Sequence, residues 1–436
     1  SLAWVRAAPP GSPPVPGTAR AALAHRDFRI VFWGSFASRL GTWMQHVTLG
    51  AYALELTGSA TFLSLVLFAQ LGPMLFLPVL GGALADLVDR RRLLIAAQAE
   101  QLLGTAVLAV LVAGGEPSQG ALLAVVGVIG VGAAIHAPAY DAVLPALVGR
   151  ADLAGAVSLN STQMNLARVT GPALGGLVFA GFGAAAVFAL NAATYLFVIA
   201  ALVAVRIPPL VRADENGRWA RLSGGFGVAR RDPLVRRCLV TMAAFALFCM
   251  PFIGQMPTLA SRNLGIEPSS VAYGLLYTCF GLGAAVGAGS IGTFLAARPK
   301  EQLVRVGLVA FAGALAVLAL LRTPLPAYPV ILVVGFCYFG TVTSLAVVLQ
   351  QRLDDAVRGR VMALWTMAFG GTIPLGLLAA GPLVETFSIS WVMGYGVVAA
   401  LALAAYANLP RVASAPVSRR RATAPPDVPA PPPGCP

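Results

Sequence analysis

Residues 81–95 read GGALADLVDRRRLLI and place five charged side chains between two long apolar runs. Gly82 permits a second helix to approach closely, as small residues do in membranes. Asp86 follows one turn later, where a carboxylate can pair with an arginine and stabilise a helix N-terminus. The spacing therefore predicts a latch between helix ends that forms and breaks as the protein moves. Its members are Gly82, Asp86, Asp89, Arg90 and Arg91.

The amino-acid composition indicates whether the chain folds in water or in a lipid bilayer. Of its 436 residues, 58% are hydrophobic and 11% are charged, whereas soluble domains carry about 25% charged residues. Apolar runs of roughly 20 residues, enough to cross a bilayer, recur from end to end. A soluble protein would leave this surface uncovered, and barrel strands would alternate apolar and polar residues. We therefore predict an all-α polytopic membrane protein.

The apolar runs predict twelve transmembrane helices in two bundles of six. The predicted spans are 28–53, 60–84, 92–113, 119–147, 156–181, 184–205, 235–259, 270–296, 301–321, 327–350, 359–384 and 388–407. The first bundle covers 28–205 and the second 235–407, with a basic linker at 206–234. Residues 1–27 and the proline-rich residues 408–436 are expected to be disordered tails.

The positive charges predict the orientation. Of the 30 lysines and arginines, Arg262 and Arg322 fall on the side opposite the termini, and Arg39 and Arg168 fall within spans. All the others share the side of the termini, so the positive-inside rule places both termini in the cytoplasm. This distribution also accounts for the net charge of +13 without a nucleic-acid partner. Since only one of the 30 is a lysine, we expect a bacterial inner-membrane protein.

A second copy of the charged pattern lies 210 residues downstream. Residues 292–300, GTFLAARPK, give Gly292-x-x-x-Ala296-x-x-x-Lys300, with the same spacing but no carboxylate. The two predicted bundles therefore form an internal repeat. Parallel six-helix repeats are an architecture of secondary transporters.

Four segments resemble sequence motifs of the major facilitator superfamily. Residues 81–95 resemble its motif A, although Leu87 and Asp89 stand where a basic residue and a glycine are common. ARVTGPALGG, at 167–176, resembles the core of motif C. The other two segments are LTGSA, at 56–60, and RGRVMALW followed by PLG, within 358–376.

Together these segments resemble the drug–proton antiporter branch that contains the enterobactin exporter and macrolide-efflux proteins. In that superfamily motif C, here Gly171, Pro172, Gly175 and Gly176, marks proton-coupled exporters. The resemblance implies export of small amphiphilic molecules, of drug or siderophore type, by alternating access and proton antiport. Residues 138–142 read PAYDA where the branch often reads PARQA. Tyr140 therefore replaces the arginine of that pattern, and any role of the arginine is not carried over to this chain.

Ionisable residues within spans are costly and usually face a cavity or one another. Asp141, Glu100 and His46 are the candidates for proton coupling. Asp141 and Arg168 fall at comparable depth on consecutive helices, so we expect them to form an ion pair. This pair is either a fixed structural one or one in which Arg168 sets the pKa of a functional Asp141. The candidates for substrate contact are Arg39, Trp43, Gln70, Tyr140, Asp141, Met164, Asn165, Arg168, Gln255, Tyr277, Tyr338 and Trp365.

Other classes of membrane protein fit less well. A membrane transferase needs carboxylate clusters, but Asp354 and Asp355 have no second cluster. There is no nucleotide-binding G-x-x-x-x-G-K-[ST] loop, so the proton gradient rather than ATP is the expected energy source. We expect no enzyme activity, cofactor or metal, and a monomer in the bilayer. A lipid or metabolite transporter of the same fold, and a membrane sensor or scaffold, stay open as alternatives.

Overall fold

The computed structural model describes residues 15–75, 77, 89–205 and 227–408, and their regular elements are all helical. In chain order the helices are α1 (Ala19–Ala24), α2 (Arg26–Thr57), α3 (Ala60–Leu71), α4 (Arg90–Ala113), α5 (Gln119–Ala204), α6 (Pro233–Cys249), α7 (Val271–Gly292), α8 (Lys300–Leu320), α9 (Ala327–Arg352), α10 (Asp355–Thr366), α11 (Ile373–Thr386) and α12 (Ile389–Tyr406). The predicted helical class is therefore confirmed for the described part of the chain.

Among the described residues, eight helices are long and apolar enough to cross a membrane. One of them, α5, has 86 residues and breaks at Gly149 (φ 71°) and Gly183 (φ 79°). Glycine adopts these left-handed conformations without the strain that a side chain would cause. The two breaks divide α5 into α5a (119–148), α5b (150–182) and α5c (184–204), so three predicted spans share one continuous stretch.

Helix α2 is not one of the eight, although the sequence predicts a span there. Its mean hydropathy is low because polar and charged side chains interrupt its apolar surface. The span predicted at 235–259 also differs from the structure. Helix α6 ends at Cys249, and the short segments Pro251–Gly254, Met256–Thr258 and Leu259–Asn263 follow it. Pro251 and Pro257 explain the interruption, since proline lacks the N–H that continues a helix.

The predicted N-terminal tail contains more helix than expected. Residues 19–24 form α1, whose N-cap Thr18 accepts a hydrogen bond from the amide of Ala21. The Oδ atoms of Asp152, after the break at Gly149, accept a hydrogen bond from the Gly17 amide (2.9 Å) and lie 2.8 Å from Nε2 of His25. These contacts hold the segment that precedes α2 against α5b, although we expected disorder through residue 27.

We divide the helices by chain position into an N-terminal group (α1–α5) and a C-terminal group (α6–α12), which contact each other through α5 and α7 and through α3 and α11. Glycines allow close packing within and between them. A Cβ atom at Gly171 would lie 2.5 Å from Cβ of Trp43, and one at Gly175 would lie 3.1 Å from Cα of Met44. The motif C glycines therefore hold α5b against α2.

The two groups meet at one end of the bundle, which carries Gly58, Arg262 and Glu385 and which we call the distal end. The opposite end, which carries α1, is the proximal end. Gln255 donates from Nε2 to the carbonyl oxygen of Ala60 (3.0 Å) and to Oγ of Ser64 (2.8 Å). Five hydrogen bonds between described residues join the two groups in the distal half.

Two charged side chains complete the distal contact. The carboxylate of Glu385 accepts a hydrogen bond from the amide of Ala60, at the N-terminus of α3. Nη2 of Arg262 lies 3.4 Å from Oε2 of Glu385 and donates to the carbonyl oxygen of Gly58 at 2.9 Å. The C-terminal group thus binds the backbone of the loop that joins α2 and α3.

Candidate functional site

A cavity of about 410 Å³ lies within the N-terminal group, and we call it the N-terminal cavity. Helix α2 contributes six side chains at the spacing i, i+3, i+4, i+7, i+8 and i+11, which places them on one helix face. They are Ser35, Ser38, Arg39, Thr42, Trp43 and His46. The rest of the lining consists of Met74, Gln98, Gln101, Ala133, His136, Ala137, Tyr140, Asp141, Asn160, Met164, Tyr195 and Val198.

Arg39 is a half-buried cation on the wall of this cavity. Its Nη2 donates to Oδ1 of Asn160 at 2.9 Å, and its Nη1 lies 3.6 Å from Sδ of Met164. Its guanidinium carbon lies 5.4 Å from the ring centroid of Tyr140, within the range of a cation–π contact. These partners are all neutral, so they fix the position of the guanidinium without cancelling its charge.

Arg168 is half-buried where the two groups meet. Its guanidinium carbon lies 4.4 Å from the ring centroid of Phe339, on α9, and 5.5 Å from that of Trp43, on α2. Nη1 also lies 3.5 Å from Oδ1 of Asn165. A Cβ atom at Gly281, on α7, would lie 2.8 Å from the carbonyl oxygen of Arg168, so the helices touch at this level.

Asp141 is an exposed residue that lines the N-terminal cavity from α5a. The expected Asp141–Arg168 pair is wrong for this structure, because no carboxylate among the described residues lies within 4.0 Å of Arg168. Arg39 is instead the cation that lines the same cavity as Asp141, and these two side chains form no ion pair within 4.0 Å. Asp141 lines the N-terminal cavity, whereas Arg168 packs against Trp43 and Phe339 where the two groups meet, and sequence spacing does not determine this packing.

The structure also separates Glu100 from the cavity. Glu100 lies with apolar residues of α4 and α5a in a different groove, and its carboxylate oxygens have no hydrogen-bond partner among the described residues. His46 does line the cavity, with its ring centroid 5.7 Å from that of Trp43. Gln70 is buried and is not part of the lining.

The predicted contact residues of the C-terminal group lie in packing positions rather than in this cavity. Gln255 is fully buried in the distal contact, and Tyr338 is fully buried with its ring centroid 4.8 Å from that of Phe245. Tyr277 donates its hydroxyl to the carbonyl oxygen of Ile253 (2.7 Å), and Trp365 is buried. None of the four lines the N-terminal cavity, and their contact with substrate stays a prediction.

Several lining residues were not predicted from the sequence. Tyr195 lies near Oε1 of Gln101 and Oγ1 of Thr42, each 3.5 Å from its hydroxyl oxygen. Oγ of Ser35 and Oε1 of Gln98 are buried without a partner among the described residues. The polar stripe along α2 was a signal in the sequence that pointed to this wall, because polar residues recurring at helical spacing mark one face.

The structure describes part of the predicted latch. Gly82 and Asp86 lie outside the described residues. Asp89 caps α4, since its Oδ1 accepts a hydrogen bond from the amide of Arg92 (3.0 Å). Arg91 donates from Nε to the carbonyl oxygen of Leu202 (2.8 Å) and from Nη2 to that of Val203 (2.5 Å), which attaches the start of α4 to the C-terminus of α5c.

Comparisons with known proteins match nearly the whole chain. The family model described as transmembrane secretion effector matches residues 17–431. The staphyloferrin A transporter of Staphylococcus aureus is 25% identical over 82% of this chain and 89% of its own length. The enterobactin exporter EntS of Salmonella typhi is 28% identical over 86% and 90%. The multidrug efflux pump Tap of Mycobacterium tuberculosis is 27% identical over 82% and 86%.

Solved structures show the same fold. The nucleoside transporter NupG superposes with a TM-score of 0.68 at 14% identity, over 87% of this chain and 98% of that chain. A bacterial homologue of the iron transporter ferroportin, in an inward-facing state, gives a TM-score of 0.68 at 15% identity, over 89% and 98%.

Proposed function

Because the chain belongs to the transmembrane secretion effector family of the major facilitator superfamily, we propose that it exports small amphiphilic molecules of siderophore or drug type. The observation that carries the proposal is the N-terminal cavity, whose lining combines the charged groups of Arg39 and Asp141 with apolar and aromatic side chains. An exporter and an efflux pump among the relatives support export rather than uptake.

The proposed topology has twelve transmembrane helices in two bundles of six, with both termini in the cytoplasm of a bacterial cell and the protein in its inner membrane as a monomer. The breaks at Gly149 and Gly183 support this number, since they create three spans from α5. In this topology the distal end faces outward. The lysines and arginines on the proximal side support that orientation by the positive-inside rule.

Transport proceeds by alternating access between the two groups. With the distal end closed by Arg262 and Glu385, substrate enters the N-terminal cavity from the cytoplasm. The distal contacts then break, and the predicted latch around Asp86 holds the proximal end shut while substrate leaves. We assign this structure to the cytoplasm-open state on the contacts of Arg262 and Glu385, which close the distal end.

A proton gradient drives the cycle, and Asp141 is the proposed proton carrier. Among the described residues that line the N-terminal cavity, Asp141 is the one carboxylate. In the outward-open state it takes up a proton, and in the cytoplasm-open state it releases that proton as substrate binds. No cofactor takes part in this cycle.

The proposal is tested in proteoliposomes loaded with a panel of fluorescent amphiphiles and given an imposed proton gradient. We expect gradient-dependent movement of at least one dye in the export direction, which an uncoupler abolishes. Dye movement that is unaffected by the uncoupler would exclude proton antiport. Failure of every dye to move, at a protein density that gives a folded reconstituted protein, would contradict amphiphile export.

A further inference from the structure

Among the described residues, two arginines and one aspartate are the charged side chains at the N-terminal cavity and its distal boundary. Arg39 and Asp141 line the cavity, and Arg168 adjoins it through Trp43. The formal charge of these three groups is therefore +1. A charged group away from water is costly unless an opposite charge or hydrogen bonds compensate for it.

Neither guanidinium uses its full donor capacity. An arginine carries five N–H donors arranged as a fork. Arg39 makes one short hydrogen bond, at 2.9 Å to Asn160, whereas the Arg168 contact with Asn165 is long, at 3.5 Å. No carboxylate among the described residues lies within 4.0 Å of either side chain. Both arginines thus have donors available for a ligand.

The two guanidiniums lie at successive levels along the bundle axis. Arg39 and Trp43 are four residues apart on α2, and Met164 and Arg168 are four residues apart on α5b. Arg39 contacts Met164, whereas Arg168 contacts Trp43. Four residues of helix rise about 6 Å, so the two cations are offset by about 6 Å along the bundle.

Aromatic rings pack against both guanidinium groups. Tyr140 lies against Arg39, and Trp43 and Phe339 lie against Arg168. Arginine is suited to planar oxyanions because its fork forms two parallel hydrogen bonds with them. The aromatic rings offer surface for the organic body of the same ligand.

We propose that the exported substrate is an organic anion with at least two acidic oxygen groups, one bound by Arg39 and the other by Arg168. This inference rests on the proposed export function and makes its substrate class more specific. Because Phe339 belongs to the C-terminal group, an anion at Arg168 competes with a contact between the two groups. Binding of substrate at Arg168 therefore affects the contact between the two groups, which must separate during transport.

The test compares two xanthene dyes of opposite charge, carboxyfluorescein and rhodamine 6G, with the full-length protein in nanodiscs. Equilibrium binding is measured by fluorescence anisotropy without a gradient. We expect carboxyfluorescein to bind at least tenfold more tightly than rhodamine 6G. Arg39→Gln and Arg168→Gln should each weaken the anionic dye about tenfold, which corresponds to about 1.4 kcal/mol, and Arg168→Lys should weaken it less than Arg168→Gln.

Arg150→Gln is the matched control, since it removes an exposed arginine near the break between α5a and α5b, outside the cavity lining. It should leave both affinities unchanged. Unchanged carboxyfluorescein binding in Arg39→Gln and Arg168→Gln, or a wild-type preference for rhodamine 6G, would overturn the inference. Carboxyfluorescein that does not bind the folded wild type would overturn it as well.

Gradient-driven transport of the same dyes separates this inference from the proposed function. Export of rhodamine 6G without export of carboxyfluorescein would support the proposed export function and overturn the proposed anion site. Arginine-dependent binding of carboxyfluorescein, with no gradient-driven movement of either dye, would support the anion site and contradict the export function.

Discussion

Arg262 crosses the boundary between the two groups of helices, where its Nη2 atom donates to the carbonyl oxygen of Gly58 at 2.9 Å. The same guanidinium lies 3.4 Å from Glu385, which accepts a hydrogen bond from the amide of Ala60. One cation and one carboxylate of the C-terminal group thus bind the backbone of a loop of the N-terminal group. These contacts favour closure of the distal end.

Replacing Arg262 by glutamine should open the distal end more often. Both side chains of the ion pair are more than a third exposed, and exposed pairs contribute about 0.2–1 kcal/mol. We therefore expect the distal-open fraction to rise by up to about fivefold. Electron–electron distance measurements between spin labels at Thr57 and Phe387 report this fraction.

Arg322→Gln is the control for that experiment. Arg322 also lies on the distal side, but it donates to carbonyl oxygens of its own group, at Ala319 and Leu321. Its replacement should leave the label distances unchanged. Equal effects of Arg262→Gln and Arg322→Gln would show that Arg262 does not act through the contact with Gly58.

Gly274→Ala should prevent close approach of α7 and α5b. A Cβ atom at Gly274 would lie 2.7 Å from the carbonyl oxygen of Pro172 and 3.1 Å from Cα of Gly176. Overpacking of this kind costs about 1–3 kcal/mol, and it applies only while the groups are in contact. We therefore expect the distal-open fraction to rise about fivefold or more, with a matching loss of transport.

Gly289→Ala provides the comparison on the same helix, since a Cβ atom there meets nothing within 4 Å. Transport by this variant should equal that of the wild type. If Gly274→Ala transports equally well, the contact between α7 and α5b is not limiting for the cycle.

Arg91→Ala should destabilise the N-terminal group by about 1 kcal/mol, because cations near a helix C-terminus contribute up to about that much. Arg91 donates to carbonyl oxygens at the end of α5c, and these would lose their partner. Thermal unfolding in detergent measures the loss. Arg92→Ala is the control, as Arg92 is exposed and has no side-chain hydrogen bond among the described residues; a similar loss in both variants would contradict the anchoring role.

The sequence allowed prediction of the helical class, because apolar runs long enough to cross a bilayer determine it. The common cavity wall on α2 was not predicted, although local periodicity indicates it. Arg39, Trp43 and His46 share one helix face by spacing alone. The Asp141–Arg168 pair could not be predicted reliably, because pairing depends on how α5a and α5b rotate about their axes. The same limit applies to Tyr338, whose burial against Phe245 depends on tertiary packing.

Asp86→Asn should slow export, because the predicted latch at the proximal end needs a carboxylate that can pair with an arginine. Asp89→Asn tests the second carboxylate of the predicted latch separately. Asp89 caps α4, and asparagine caps a helix about as well as aspartate, so this variant should export at the wild-type rate. Initial rates of dye export at equal expression measure both effects. Equal rates in Asp86→Asn and the wild type would exclude the latch.

Asp141→Asn should uncouple transport from the proton gradient. The amide keeps the shape of the carboxylate but neither gains nor loses a proton at physiological pH, so the proposed carrier would be absent. We expect downhill dye movement to continue while uphill export and its dependence on pH are lost. Parallel measurements of dye efflux and of the internal pH of proteoliposomes distinguish these two processes.

Glu116→Gln removes an exposed carboxylate from the loop between α4 and α5 and serves as the control. It should leave both uphill export and proton movement intact. Retention of proton-coupled export by Asp141→Asn would assign the carrier to another group, and His46 would be the first to replace, since it lines the same cavity. A loss of downhill movement in Asp141→Asn would instead place Asp141 in substrate binding, beside Arg39.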